Sequence, residues 1–363
     1  MKDLDFFYHL PLKSIKFIAR KEFISSAKTL ILGYPGSGKT SLILDALDEY
    51  KQEEKLYINL KDLRINADTI LANLIEFLKE NQSIKILAID NATTQDQMQK
   101  LSQISELEKI IISTNNKTLT IPNFRVLHLE YLDYEEFMLF FRKNISPEAF
   151  FSHFLAHGTS VANTMVEPSE TAQITQNKLR AELSQTNLQI IKECAKKCAE
   201  TISAHEIYKI LKERIKISKD SVYAGLIELE NNGFIKFLSK FNEPNAAKKL
   251  FFNDFSVRNA LNLKKDFNAN FSNIVFCELS KFKDEIFYTN EFDFFLTRRK
   301  LAIICVPFTD SEIVFLKFKK LHVTLKRMNI TRLQVISVAN AGEITIEGIK
   351  CEILPFSRWA LGI

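Results

Sequence analysis

Residues 29–41 read Thr-Leu-Ile-Leu-Gly-Tyr-Pro-Gly-Ser-Gly-Lys-Thr-Ser. The first four residues predict a short β-strand, and residues 33–40 satisfy the phosphate-loop pattern G-x-x-x-x-G-K-[ST], the Walker A motif, in full. Three of the nine glycines in the chain lie in this stretch. Because glycine lets the backbone turn tightly and approach a ligand closely, the stretch predicts a loop around bound phosphate at the start of a helix.

The residue types in this loop indicate a nucleotide held together with Mg²⁺. Backbone N–H groups of such a loop and the positive end of the helix attract phosphate oxygens. We expect Lys39 to contact the outer phosphates and the Thr40 hydroxyl to coordinate Mg²⁺. The predicted nucleotide-binding residues are Gly33, Tyr34, Pro35, Gly36, Ser37, Gly38, Lys39, Thr40 and Ser41.

A second part of the predicted site follows the apolar strand at residues 84–89, which is succeeded by Asp90 and Asn91. A carboxylate at this place would hold the Mg²⁺ shell through water, so Asp90 joins Thr40 as a predicted metal-site residue. Asn91 stands where many ATPases have the Glu that deprotonates the attacking water. An amide can orient water but cannot accept its proton, so the sequence favours nucleotide binding over fast hydrolysis.

Polar residues also follow the apolar strand at residues 109–113, where Thr114 and Asn115 leave the predicted sheet. Two interpretations stay open for these side chains. Either they contact the γ-phosphate or its water, or they serve the turn chemistry that ends a strand.

The chain around the loop alternates short apolar runs with amphipathic stretches, as expected for a parallel sheet with helices on its faces. This pattern predicts an α/β domain over residues 1–165. A polar stretch predicts a linker over residues 166–180. The pattern is helical afterwards and mixed beyond residue 255, so we expect further domains over residues 181–255 and 256–363.

The composition excludes several classes of protein. With 363 residues, 46% of them hydrophobic and 26% charged, the chain can bury several cores and is neither disordered nor fibrous. No apolar stretch is long enough for a membrane span, the N-terminus lacks a secretory signal pattern, and five cysteines without a CxxC motif indicate a reducing cytoplasm. The net charge of +5 belongs to residues 256–363, which hold 16 Lys plus Arg and 11 Asp plus Glu.

These features together resemble a family of prokaryotic AAA-type ATPases, in which a P-loop domain is followed by a winged helix and a C-terminal domain related to restriction-endonuclease-like nucleases. The resemblance covers nearly the whole chain. In the first domain it rests on the phosphate loop, on residues 56–60 and 84–90, and on residues 129–137, where Tyr131 replaces the family's proline. It implies ATP and Mg²⁺ as cofactors. It also makes Arg125 a candidate phosphate sensor, with a solvated surface arginine as the alternative.

Residues 188–231 predict three helices, and residues 234–238 and 249–252 predict the paired strands of a wing. In many winged helices the third helix enters the DNA major groove. The side chains expected to face outward on this helix include two acids at its end, which would repel phosphate, and the set is Lys219, Asp220, Tyr223, Glu228 and Glu230. Packing between domains is the alternative use of this helix.

The C-terminal domain resembles a nuclease that has lost its chemistry. Glu278, on a predicted helix, and Asp293, at a predicted strand, match two metal-site positions of the family. The next strand has Cys305 and Pro307 where a working nuclease would need Glu and Lys, and a thiol is a poor Mg²⁺ ligand. We therefore expect a degenerate nuclease site. A metal-dependent nuclease that uses another carboxylate stays open as an alternative.

The sequence as a whole predicts a cytoplasmic ATP-binding protein with slow or switch-like hydrolysis, whose nucleotide state acts on a winged helix and an inactive nuclease-like domain. The alternative from another class is a nucleic-acid-binding module with a structural nucleotide site. Its candidate surface is the winged helix or the basic C-terminal side chains Arg298, Arg299, Lys300, Lys317, Lys319 and Lys320. A homo-oligomer fits either interpretation, and no membrane partner is expected.

Overall fold

The structure, a computed structural model, describes residues 2–12, 20–141, 145–282, 284–308 and 310–362. The chain divides into two compact units, Met1–Tyr131 and Leu132–Ile363. The predicted boundary of the first domain at residue 165 stays a prediction. Beyond the first unit, Tyr134 and Phe137 are fully buried in the same core cluster as Phe154 and Phe356 of the second unit.

The first unit alternates helices with strands. In chain order its elements are α1 (Lys2–His9), β1 (Lys28–Gly33), α2 (Lys39–Asp48), β2 (Lys55–Asn59), α3 (Ala67–Glu80), β3 (Ile86–Asp90), α4 (Gln95–Ser102), β4 (Lys109–Thr114) and β5 (Arg125–Leu129). Every residue of β3 is buried, as expected for a strand covered by helices on both faces. Asn66 caps the N-terminus of α3, where its side chain accepts the Thr69 N–H, and the helix buries a face formed by Ile70, Leu71, Leu74 and Phe77.

The five strands form one parallel sheet in the order β2-β3-β4-β1-β5. The predicted parallel α/β sheet is thereby confirmed. The connection after β1 leads to β2 at one side of the sheet, whereas the connection after β4 crosses β1 to reach β5 on the other side. Such a divergence opens a crevice at the carboxyl ends of the strands, where ligands bind in open α/β sheets.

The second unit contains the other helices and strands. In chain order they are α5 (Tyr134–Phe141), α6 (Pro147–His157), α7 (Thr171–Glu182), α8 (Gln185–Lys196), β6 (Thr201–Ile202), α9 (Ala204–Lys212), α10 (Lys219–Asn231), β7 (Ile235–Leu238), β8 (Lys248–Phe252), α11 (Phe255–Leu261), α12 (Phe267–Leu279), β9 (Ile286–Phe287), β10 (Phe294–Leu296), β11 (Leu301–Cys305), α13 (Ser311–Arg327), β12 (Arg332–Ser337), β13 (Gly342–Ile346), β14 (Ile349–Pro355) and α14 (Phe356–Leu361).

Helix α7 (Thr171–Glu182) occupies much of residues 166–180, and the assignment of this stretch as a linker between domains stays a prediction. The polar composition of this stretch hides one buried face. Thr171, Thr175 and Leu179 are spaced four residues apart, lie on the same side of the helix and are buried. The remaining predicted boundaries, at residues 181, 255 and 256, stay predictions.

Helices α8, α9 and α10 are each preceded by an N-cap serine whose hydroxyl accepts a backbone N–H of the first turn, namely Ser184, Ser203 and Ser218. Their apolar faces share one core cluster with β7 and β8. The predicted pairing of two strands after these helices is confirmed, since β7 and β8 are antiparallel neighbours in a three-stranded sheet of order β6-β8-β7.

The C-terminal part contains a mixed six-stranded sheet in the order β13-β14-β12-β11-β10-β9. Strands β11, β12 and β14 run parallel, and the outer strands pair antiparallel. The predicted mixed α/β character is confirmed. In the described part of the chain, none of the helices has the length and apolar character that crossing a membrane would require.

Candidate functional site

The glycine-rich loop connects β1 to α2 at the carboxyl edge of the parallel sheet. Gly36 and Gly38 have φ values of 87° and 96°, a left-handed conformation that side chains with a Cβ rarely adopt. Gly38 is also the N-cap of α2, so the N–H groups of the first helical turn face the loop. The loop is therefore shaped as a cradle of backbone donors, which suits phosphate oxygens.

The Lys39 side chain is buried inside this loop. Its Nζ donates to the carbonyl oxygens of Gly33 at 2.9 Å and Tyr34 at 3.0 Å, and to Asn115 Oδ1 at 2.5 Å. These contacts bring the end of β4 to the loop. Of the two residues that the sequence leaves open after β4, Asn115 thus contacts the lysine of the loop.

Thr114 is the last residue of β4. Its side chain is buried, and its Oγ1 accepts the backbone N–H of Asn116 at 3.1 Å. This bond is typical of the turn that ends a strand. Contact of Thr114 or Asn115 with the γ-phosphate or its water stays a prediction.

Asp90 is fully buried and accepts three hydroxyl hydrogen bonds. Thr40 Oγ1 and Tyr57 Oη donate to Asp90 Oδ2 at 2.6 and 3.1 Å, and Ser113 Oγ donates to Oδ1. No ion pair of Asp90 is found among the described residues. A buried carboxylate held only by neutral donors has an uncompensated charge, and the oxygens of Asp90 and Thr40 are ligands that Mg²⁺ prefers. The donor set therefore fits Mg²⁺.

Asn91 follows Asp90 in a left-handed backbone conformation, with φ of 62°. Asparagine tolerates this conformation better than most residues. Its N–H donates to Ser113 Oγ at 3.1 Å, and its Nδ2 donates to Asn59 Oδ1 at 3.0 Å. The amide therefore lies beside the predicted metal site but has no group that could take a proton.

Several residues that support the loop were not predicted. Tyr131 stacks on Tyr34 with ring centroids 5.7 Å apart and donates through its hydroxyl to the Pro35 carbonyl oxygen at 2.9 Å. Arg20 donates to the carbonyl oxygens of Ser37 at 2.7 Å and Glu130 at 2.8 Å. The sequence carries a weak signal for two further residues, since Tyr57 and Ser113 interrupt apolar strands with hydroxyl groups. Ser41 lies in the first turn of α2.

The structure does not bring Arg125 to the loop. Arg125 begins β5, where it pairs with Thr29, whereas Gly33 at the loop pairs with Leu129 at the other end of the same strand. Its side chain is exposed and donates to Ser25 Oγ at 3.1 Å. Arg125 therefore lies at the amino ends of the strands, whereas the phosphate loop of the same chain lies at their carboxyl ends.

The two carboxylates of the predicted degenerate nuclease site have separate partners. Glu278 on α12 is fully buried, accepts the Tyr134 N–H at the start of α5 at 2.8 Å, and forms an ion pair with Lys281. Burial raises the pKa of the Glu278 carboxyl to about 7. Asp293 accepts the Cys305 N–H at 2.9 Å and lies 3.5 Å from Lys249 Nζ. Within the described ranges, no group of three or more His, Cys, Asp or Glu side chains is arranged to hold a metal ion.

The outer face of α10 differs from the prediction at one acid. Glu230 is turned toward the paired strands, where its carboxylate accepts the Phe237 N–H at 3.1 Å and lies 3.9 Å from Lys236 Nζ. Lys219, Asp220, Tyr223 and Glu228 are exposed, as predicted. An exposed Ile227 lies on the same face and was not predicted.

Comparisons with known proteins leave the family open. No protein-family model matches the chain, and no curated protein matches it. Solved structures do match it. The match to a Walker-type ATPase of Pyrococcus abyssi covers 64% of this chain and 90% of the ATPase chain, at 14% sequence identity and a TM-score of 0.41. The match to the Orc1 protein of Aeropyrum pernix, solved in complex with DNA, covers 66% of this chain and 87% of the Orc1 chain, at 13% sequence identity and a TM-score of 0.37.

A third match, to a structure of Drosophila ORC bound to AT-rich DNA and Cdc6, covers 62% of this chain and 81% of the matched chain, at 13% sequence identity and a TM-score of 0.19. A complete Walker A loop joins the strand and helix of a five-stranded parallel sheet. The first unit has the fold of P-loop ATPases.

Proposed function

We propose that this is a cytoplasmic protein that binds ATP with Mg²⁺ and hydrolyses it slowly. One observation carries the proposal, namely that the loop and the strand ends meet in two side-chain pairs. Thr40 Oγ1 lies 2.6 Å from Asp90 Oδ2, and Lys39 Nζ lies 2.5 Å from Asn115 Oδ1. All five cysteines are unpaired, which agrees with a reducing compartment.

Each residue of the site has a role that its geometry permits. The loop N–H groups and Lys39 would hold the phosphates, and Asn115 would exchange its bond to Lys39 for one to the nucleotide or its water. Thr40 and Asp90 would hold Mg²⁺, which when bound neutralises phosphate charge. Asn91 would orient a water through its amide. Without a proton acceptor there, a contribution of roughly 10²–10⁴-fold to the rate is lost, and this supports slow turnover.

The junction between the two units supports a switch-like role. Tyr131, the last residue of the first unit, stacks on Tyr34 of the loop and donates to the Pro35 carbonyl oxygen. Leu132, the next residue, donates its N–H to the Thr159 carbonyl oxygen within the second unit at 2.9 Å. A loop movement on nucleotide binding would thus reach the first residues of the second unit through a single peptide bond.

We also propose that residues 181–255 form a winged helix and that residues 256–363 are nuclease-like without cleavage activity. The three serine-capped helices followed by paired strands support the first assignment. The separate partners of Glu278 and Asp293 support the second, because Tyr134 and Lys281 occupy one carboxylate and Cys305 and Lys249 contact the other.

A nucleic-acid-binding module is a second candidate function. Four exposed lysines lie between the last turns of α9 and the start of α10, in a stretch that also exposes Glu213 and Asp220, and they are Lys209, Lys212, Lys216 and Lys219. The inward turn of Glu230 also removes one acid from the outer face of α10. Binding of labelled duplex DNA at several salt concentrations, with and without ATP, separates the candidates. A steep salt dependence that ATP does not change favours the second candidate, and absence of binding removes it.

Calorimetric titration with ATP tests the leading proposal. We expect binding on the order of micromolar affinity for the wild type and none for Lys39→Ala. Lys55→Ala is the matched control, because Lys55 Nζ also donates to a backbone carbonyl in the first unit, that of Leu47 at 3.0 Å. Wild-type protein that binds no ATP would overturn the proposal. Turnover at about ten per second, an ordinary enzyme rate, would overturn its slow-hydrolysis part.

A further inference from the structure

We propose that Tyr57 is a positioning residue that holds the Asp90 carboxylate in place for the cation of the bound nucleotide. This inference rests on the proposed function and adds a residue that neither the Walker A loop nor the Asp90 strand contains. Tyr57 lies on β2, the edge strand of the sheet next to β3.

The position of Tyr57 follows from the strand register. Tyr57 pairs with Ala88 and Asn59 pairs with Asp90, so β2 runs beside the strand that carries the carboxylate. Tyr57 Oη donates to Asp90 Oδ2 at 3.1 Å. The same oxygen accepts the Thr40 hydroxyl at 2.6 Å, while Ser113 donates to the other oxygen. Tyr57 and Thr40 therefore share one carboxylate oxygen.

This sharing matters because Thr40 has a second task. If the Thr40 hydroxyl turns toward a cation, Asp90 Oδ2 loses one of its two donors. The Tyr57 hydroxyl remains, and together with Ser113 it keeps both carboxylate oxygens fixed. Partners of a metal-binding group that restrict its rotation in this way contribute to metal affinity.

The chemistry of the Tyr57 hydroxyl suits this role. Tyr57 is neutral, so it orients Asp90 without compensating the negative charge that attracts a cation, as a lysine or arginine would. A tyrosine hydroxyl is protonated at neutral pH and therefore acts as a donor to the carboxylate.

The test compares the Mg²⁺ dependence of ATP binding between wild type and Tyr57→Phe. We expect the Mg²⁺ concentration for half-maximal enhancement of ATP binding to rise about tenfold in the variant, with ATP affinity in EDTA unchanged. Tyr50→Phe is the matched control, because Tyr50 Oη also donates to a carboxylate of the first unit, Glu108 Oε1 at 3.1 Å. We expect this control to behave as wild type.

The outcomes distinguish the inference from the proposed function. Wild-type protein without ATP binding at any Mg²⁺ concentration overturns the proposed function. If wild type binds and Tyr57→Phe shows the same Mg²⁺ dependence, only the inference is wrong. If Tyr57→Phe loses as much ATP affinity in EDTA as it does with Mg²⁺, Tyr57 has only a structural role, and this result would also overturn the inference.

Two further variants make the result decisive. Tyr57→Met removes the hydroxyl with a flexible apolar side chain, and it serves if Tyr57→Phe does not fold. In an Asp90→Asn background, Tyr57→Phe should cause no further change in Mg²⁺ dependence, because its effect passes through the carboxylate. A tenfold change that persists in this background would contradict the inference.

Discussion

Asn59 Oδ1 accepts hydrogen bonds from Asn91 Nδ2 and from the backbone N–H of Lys61, each at 3.0 Å. A backbone N–H can only donate, so the atom of Asn59 that faces it is the amide oxygen. Asn91 must then present its NH₂ group to Asn59, which leaves its own Oδ1 as an acceptor for water. The residue next to Asp90 is thereby held as an amide that orients water without accepting a proton.

This arrangement predicts that Asn91→Glu does not create a fast ATPase. A glutamate at φ of 62° is strained by about 1 kcal/mol, and its carboxylate would face the Asn59 oxygen in place of a donor. We expect the free energy of unfolding to fall by about 2 kcal/mol and ATP turnover to rise less than about tenfold. Urea denaturation and steady-state ATPase assays measure the two effects.

Asn123→Glu is the control for the backbone strain. Asn123 has φ of 63° and is exposed, with no hydrogen bond to a second asparagine described for it. We expect a loss near 1 kcal/mol for this variant. Equal losses for both variants, together with a rise of several hundredfold in turnover of Asn91→Glu, would contradict the prediction.

Tyr131→Phe should weaken the coupling between the nucleotide site and the second unit. The substitution removes the donor to the Pro35 carbonyl oxygen and leaves the ring that stacks on Tyr34. We expect ATP affinity to change less than about threefold, in line with the loss of one hydrogen bond of under 1 kcal/mol. Hydrogen exchange of residues 132–141, followed by mass spectrometry with and without ATP, should lose its ATP dependence.

The matched control for this prediction is Tyr8→Phe. The Tyr8 hydroxyl also donates to a backbone carbonyl oxygen of the first unit, that of Glu53 at 2.9 Å. We expect its ATP-dependent exchange to match wild type. Undiminished ATP dependence in Tyr131→Phe would exclude the Tyr131 hydroxyl from the coupling route.

Gly158→Ala should destabilise the second unit more than Gly348→Ala does. Both glycines have positive φ, of 78° and 80°, so an alanine is strained by about 1 kcal/mol at either place. A Cβ on Gly158 would also lie 2.4 Å from the Ser256 Cβ, whereas a Cβ on Gly348 meets nothing within 4 Å. We expect a further loss of about 2 kcal/mol for Gly158→Ala in chemical denaturation. Equal losses would show that Ser256 moves aside without cost.

Glu278 should make stability depend on pH in a specific direction. Burial raises its pKa in the folded state to about 7, above the value near 4.5 of an exposed glutamate. Between these values the folded state binds more protons than the unfolded state, so this group's contribution to stability falls as pH rises from about 4.5 to 7. The maximum change is about 3 kcal/mol.

Glu278→Gln removes this titration. We expect the difference in free energy of unfolding, variant minus wild type, to increase with pH over that range in urea denaturation. The control is Glu347→Gln, since the exposed ion pair with Lys326 lowers the pKa of Glu347 below its value near 4.5. Its difference should therefore stay constant between about pH 4.5 and 7 and change, with the opposite sign, only at lower pH. A pH-independent difference for Glu278→Gln would contradict the prediction.

The sequence alone determined the nucleotide-binding loop and the type of sheet that carries it. Both follow from local information, because the Walker A pattern lies within eight consecutive residues and alternating apolar runs report which strands are buried on both faces. The sequence also showed that Asn91 replaces a proton acceptor, since this depends only on the residue that follows Asp90.

Only the tertiary structure decided which side chains support that loop and which do not. Tyr57 and Ser113 lie 33 and 23 residues from Asp90 and reach it because β2 and β4 flank β3 in the sheet. The pairing of β5 with β1 places Arg125 at the amino ends of the strands, away from the phosphate loop at their carboxyl ends. Glu278 meets Tyr134 across 144 residues, which gives it a structural partner at the start of a helix. Strand order and long-range packing set these contacts, and no spacing along the chain encodes them.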